Sequence, residues 1–260
     1  MHLTVPLTFP SHALAVLPLK IRWPRHLDGV ALVVGSAVPD AAYPLAGLIS
    51  MPEPHSLSAL LWWCLPIGIV ATVVIRRSAG TIAAHLPRLG EFDLPAYGVL
   101  GSVRHRWYIT GYSILLGALT HIFWDGFTHD PAGGHGWGVA SFPVLTQQSP
   151  LGKPWWYLLQ QASTFGGALL AVGVFYLIGR RGLLREWHGA PPTVRRRPRR
   201  FWLTSGTVAA LALALLPLLP LPFQPFVLGG RLLWTVALAL LAGAISVRLA
   251  GDDRRVVHPG

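Results

Sequence analysis

Side chains that can bind metal or move protons recur at every fourth position in LLGALTHIFWDGFTHD, residues 115–130, as His121, Asp125 and His129. Helix positions four apart differ by about 40° around the axis, so His121 and Asp125 share a face. His129 joins them if the helix continues through Gly126. A neutral imidazole and a carboxylate one turn apart begin a site suited to zinc or a similar divalent ion. Among the ten acidic residues of the chain, Asp40 and Asp125 are read as the ones in or at the edge of apolar runs. An ionised aspartate at the centre of a membrane helix costs about 2.5–3.5 kcal/mol on insertion scales, and a bound cation is an obvious compensation. The plainer alternative has His121 in an interhelical hydrogen bond and Asp125 marking the end of a span.

Three more donors stand in apolar surroundings: His12 in TFPSHALAVLPL, Asp40 in GSAVPDAAYPL and His55 in PEPHSLSALLWW. Each opens a short helix-like segment after a proline or serine. His26, His85, His105, His188 and His258 lie among arginines, prolines or loop residues and are expected to be solvated, and His2 carries no expectation of a role. His129 and His135, the latter in PAGGHGWG, are intermediate, because their loop lies at the Asp125 end of the helix. Cys64 is the single cysteine, which excludes an intrachain disulfide and a multi-thiolate metal site, so it reads as a small apolar filler.

The elements that must position these residues are membrane helices. The 260 residues are 52% hydrophobic and 12% charged, against about 25% charged in an ordinary soluble domain. Uncharged runs cover residues 56–75, 107–124, 155–179 and 201–230, and residues 232–247 stand between Arg231 and Arg248. An apolar run of about 18 residues suffices to suggest a span. The stretch 29–50 is broken by Pro39, Asp40 and Pro44, which suggests a broken or re-entrant element. The expected fold is an all-α polytopic bundle of five or six spans with a re-entrant N-terminal segment. Its expected parts are a site-bearing bundle over 1–179, an Arg-rich loop over 180–200 and a C-terminal helix pair over 201–260. MHLTVPLTFPSH has no basic stretch before an apolar core, so insertion is expected from the internal spans.

The net charge of +11 is concentrated: Arg180, Arg181, Arg185, Arg195, Arg196, Arg197, Arg199 and Arg200 fall in one loop between apolar runs. A positive-inside loop accounts for it, and no nucleic-acid partner is expected. The same loop can meet anionic lipid headgroups. With residues 180–200 cytoplasmic, Arg76, Arg77, Arg88, Arg104 and Arg106 fall on the same side, and so do Arg248, Arg254 and Arg255. The expected location is the inner (plasma) membrane, with the Arg-rich loop and the C-terminus cytoplasmic. A helix from Trp107 then lifts His121 roughly 21 Å and Asp125 roughly 27 Å across a core of about 30 Å. Lys20, Arg22 and Arg25 conflict with this unless the N-terminal segment is re-entrant or the site lies deeper.

The order His12, then Pro39-Asp40, then Pro54-His55-Ser56, then THIFWDGFTH resembles a family of bacterial integral-membrane proteins of unknown function. It is similar also to membrane-bound metal-dependent hydrolases and, distantly, to the zinc-dependent phospholipase C and P1 nuclease group. The resemblance covers about residues 8–165. It implies His12, Asp40, His55, His121 and Asp125 as ligands of a divalent metal, most simply zinc, with Asp125 bridging if two ions bind. The chain departs from the secreted enzymes in lacking their later His-x-x-x-Glu helix and their N-terminal tryptophan, so a full trinuclear centre is not expected. The expected function is a membrane-embedded metal-dependent hydrolase, phosphodiesterase-like, acting on a lipid or lipid-linked substrate. His129 is the expected proton-transfer residue. The alternative is a non-catalytic transport or scaffold protein with a structural His/Asp metal site or polar network.

Overall fold

The computed structural model describes residues 9–50 and 53–252; His2, His258, Arg254 and Arg255 lie outside them. The described residues form helices and no strand. The main ones, apart from further short 3₁₀ segments, are in chain order α1 Phe9–Arg22, α2 Gly29–Gly35, a 3₁₀ segment Val38–Leu45, and a π-turn Leu60–Cys64 that runs into α3 Leu65–His85. Next come α4 Trp107–Thr128 and α5 Trp137–Ser141. Then α6 Trp155–Ala162 continues through a second π-turn, Ser163–Gly167, into α7 Ala168–Arg180. The described residues end in α8 Leu183–His188, α9 Pro198–Leu215 and α10 Pro225–Asp252.

Among the described residues, four stretches are long and apolar enough to cross a membrane: Leu60–His85, Trp155–Arg180, Pro198–Leu218 and Pro225–Ala250. They match four of the runs expected from sequence, with differences in extent: the run expected at 201–230 is divided, one stretch stopping at Leu218 and the next starting at Pro225. The first helix continues through Arg76 and Arg77 to His85, and the last contains Arg231 and Arg248 instead of stopping between them. Long basic side chains allow this because their stems pack against apolar surface while the charged heads find polar partners. α4, expected as a further span, is a continuous helix of 22 residues but is not among these four.

The helices fall into two compact units. One takes in α1, α2, α3 as far as Thr72, and His105–Phe175. Here α2 starts at Asp28, whose carboxylate accepts from Ala31 N–H at 3.2 Å, satisfying one of the unpaired donors of a first turn. The other carboxylate oxygen of Asp28 accepts from the Thr110 hydroxyl at 2.7 Å, and Ser113 Oγ accepts from Asp28 N–H at 3.1 Å. Both partners lie on α4. The α2–α4 approach is close because Gly35 and Gly117 lack Cβ atoms: a methyl at either would overlap the opposite helix's backbone, at Ile114 and Leu32 respectively. The buried face of α4 repeats at positions 113, 117, 121 and 125, so the sequence pattern that seats the helix also aims His121 and Asp125 inward.

The other unit holds Pro44–Ser50, Val73–Arg104 and the chain from Tyr176 onward. α9 and α10 pair through Phe201, Ala244 and Val247. His85, expected to be solvated, is instead buried. Its Nδ1 lies 2.7 Å from Thr81 O, its Nε2 accepts from Arg197 N–H at 2.8 Å, and its ring stacks on Phe201 with centroids 4.6 Å apart. Arg231, also buried, donates to the carbonyls of Pro44, Ala46 and Pro220 at 3.0, 3.2 and 2.7 Å. The guanidinium thus serves as a common donor to three backbone carbonyls.

Candidate metal centre

Each side chain of the centre is set by a local backbone rule. α2 ends at Ser36, and the last carbonyls of a helix have no intrahelical donor; His121 Nδ1 takes the Ser36 carbonyl at 2.7 Å. Because a carbonyl only accepts, Nδ1 carries the proton, which leaves Nε2 as the nitrogen that would offer a lone pair to an ion. Val38 opens the 3₁₀ segment, and Pro39 and Asp40 fall in its first turn. His55 sits in the turn before the Leu60–Cys64 π-turn. That turn is held by Trp63 Nε1, which donates to Val38 O at 3.2 Å, and by Ser56 Oγ, which accepts from Ala59 N–H at 3.3 Å.

The result is a buried group of Asp40, His55, His121 and Asp125 whose ligand atoms all lie within 4.8 Å of one another. His121 Nε2 is 3.3 Å from His55 Nε2, 3.1 Å from Asp125 Oδ2 and 3.4 Å from Asp40 Oδ1. His55 Nε2 is 3.2 Å from Asp40 Oδ1 and 3.5 Å from Asp125 Oδ2. Four ligands placed tetrahedrally at zinc bond lengths of about 2.0–2.1 Å are separated from one another by about 3.3 Å. Five of the six edges are thus given, and they match. Two carboxylates buried together are costly without compensating positive charge, and a divalent cation supplies it. The group can therefore hold a metal ion.

Beside the four stand His12, His129 and His135. Asp125 turns its second oxygen, Oδ1, toward His12 Nε2 at 3.4 Å and His129 Nδ1 at 3.7 Å. His12 stacks on His121 with centroids 3.8 Å apart. It thus adjoins the four ligand atoms on the far side of the Asp125 carboxylate. Burial and the neighbouring His121 push His12 down to about 4 against the pull of Asp125 and Asp40, which keeps its imidazole neutral near pH 7. α4 survives Gly126 and ends at Thr128, leaving His129 as its extended cap residue. His129 stands beside Asp125 without sharing its helical face.

His135 is the residue least legible in the sequence. Its ring lies 4.7 Å from that of His55 and is only partly covered, which places it on the accessible side of the centre. Burial, then the charges of His55 and His129, lower its pKa. Burial works to lower His55 as well, but the hydrogen bonds its ring donates to the Asp125 and Asp40 carboxylates outweigh it and the group is raised. Tyr43 stacks over His55 at 6.0 Å. Asp28 is buried as well, although it stands just before an apolar run and not inside one. An aspartate ahead of GVALVV is an N-cap signature.

The family model for a domain of unknown function, DUF4184, matches residues 5–246. The chain belongs to the DUF4184 family. No curated protein and no solved structure matches it, so the resemblance to the phospholipase C and P1 nuclease group gains nothing from these comparisons. Membership fits the expectation of an uncharacterised family, and for this DUF4184 chain the chemistry rests on the centre itself.

Proposed function

We propose that the protein is a membrane-embedded, metal-dependent hydrolase whose ion, most simply zinc, is held by Asp40, His55, His121 and Asp125, with His12 supporting Asp125. The observation that carries this reading is the set of five near-tetrahedral separations between 3.1 and 3.5 Å. A divalent ion bound there supplies an acidified water and polarises an ester or phosphoryl oxygen. Asp125 divides its work, one oxygen toward the centre and the other toward His12 and His129. His129 holds or passes a proton at Nδ1. The substrate class is a lipid or lipid-linked ester or phosphodiester, because the donors lie in a chain with four membrane-length helices.

The same reading makes α4 a further span and the α1–α2 region re-entrant. It takes residues 1–179 as the site-bearing bundle, 180–200 as a cytoplasmic Arg-rich loop and 201–260 as a packing pair, in the inner membrane. A structural metal site in a transport or scaffold protein is the second reading. What favours it is that the four donors fill a tetrahedron and are all buried, whereas a catalytic ion needs an open position.

Elemental analysis of detergent-purified protein, beside hydrolysis of a chromogenic phosphodiester and of lipid phosphodiesters, tests both. Stoichiometric metal with turnover abolished by chelation supports the hydrolase. Stoichiometric metal with no turnover on any ester or phosphodiester supports the structural site. Folded protein with no divalent metal overturns both.

A further inference from the structure

The chain between the site-bearing helix and the next membrane-length helix has an unusual surface. Residues 131–155 contain no acid and one basic residue, Lys153, yet Trp137, Phe142 and Leu151 are 47%, 52% and 75% exposed. They are not a floppy apolar tail. Trp137 packs against α4 at Gly126, where any side chain would overlap the indole. Its ring stands 5.2 Å from Phe127 and 5.8 Å from Phe123, and Phe127 is 5.9 Å from Phe142. At the other end, Trp155 N–H donates to Gln147 O at 3.2 Å and Ser149 N–H to Lys153 O at 2.8 Å. These bonds pin the Leu151 turn to the first residue of the Trp155–Arg180 helix. The exposed apolar surface is therefore fixed at the level where a membrane-length helix begins, and aromatic residues at such a boundary favour the headgroup layer. In water an ordered apolar patch of this kind is disfavoured.

We infer that residues 137–155 are a platform that lies in the lipid headgroup layer. His135, two residues before it, then brings the accessible side of the centre to the bilayer surface. An amphiphile whose headgroup carries the scissile ester or phosphodiester reaches it laterally from the membrane. This last step rests on the hydrolase reading; the placement of the platform does not.

The test is depth measurement on the full-length protein in phosphatidylcholine–phosphatidylglycerol vesicles. A polarity-sensitive fluorophore is attached to Leu151→Cys, Phe142→Cys and Gly133→Cys in turn. Cys64 is buried, and unsubstituted protein sets the labelling blank. Leu151 is mostly exposed and a Cβ at Gly133 meets nothing, so neither change disturbs packing. The expected result is blue-shifted emission at 142 and 151, strong quenching there by shallow spin-labelled lipids, and iodide quenching several-fold weaker than at 133. Iodide quenching at 151 equal to that at 133 overturns the platform. That outcome leaves the metal centre standing, just as metal-free protein would leave the platform standing.

Discussion

At the residue scale the centre assigns different work to neighbouring side chains, and the assignments are separable. Asp125→Asn and His121→Ala remove donors from the four-membered set, and the purified variants are expected to carry well below stoichiometric metal by elemental analysis. His129→Ala keeps the set intact. It should retain metal while lowering the hydrolysis rate about 100- to 10,000-fold, the usual span for one proton-transfer group. Metal loss in His129→Ala as complete as in Asp125→Asn would make it a ligand instead. A pH effect follows from His55, whose pKa is raised when no ion is bound. It keeps its proton to higher pH than an ordinary imidazole, and a metal must displace that proton. Apparent affinity should therefore weaken as pH falls, so titration at about pH 6 should give a larger Kd than at about pH 8. The i, i+4 pairing of His121 with Asp125 was legible from spacing alone. The place of His135 was not, because a glycine-flanked loop histidine carries no periodic signal.

Among the elements, the α2–α4 contact governs the site more than any other. Gly117 lies where a Cβ would meet the Leu32 carbonyl and Ser36 N–H, and Ser36 supplies the carbonyl that orients His121. Gly117→Ala should destabilise the protein by about 1–3 kcal/mol, as overpacking commonly does, and should lower metal content in the protein that still folds. Gly173→Ala is the control, since a Cβ there meets nothing; thermal unfolding in detergent with metal analysis compares the two. Apolar run lengths located the four membrane-length helices. Their ends were less legible because a helix continues past arginines when their side chains find partners, as Arg248 does with Thr81 at 3.2 Å. His85 follows the same pattern: its place just before Pro87 and Arg88 suggests solvent, but a continued α3 carries it into a packed pair with Phe201.

For the whole molecule, metal binding and folding are linked, because the four donors come from three separate stretches of chain: the 3₁₀ segment, the turn before α3, and α4. An ion that binds only the folded state adds about 2.7 kcal/mol at a free concentration 100-fold above its Kd, or about 5–10 °C in unfolding temperature for a chain of this size. Chelation followed by dialysis should lower the transition by that order, and returning the ion should restore it. An unchanged transition in protein shown to have lost its metal would mean that the centre does not bind its segments together.

The hydrogen bond from His121 to Ser36 is made to backbone, and that has a consequence for how the centre tolerates change. The orienting partner of the imidazole is set by where α2 stops, so its chemistry does not depend on which residue occupies position 36. Ser36→Ala removes only the hydroxyl bond to Val33 O and should leave metal content and affinity unaltered. Exchange for another small residue at this buried position is thus silent to the centre, whereas lengthening α2 by a single turn would redirect the carbonyl and release the ring.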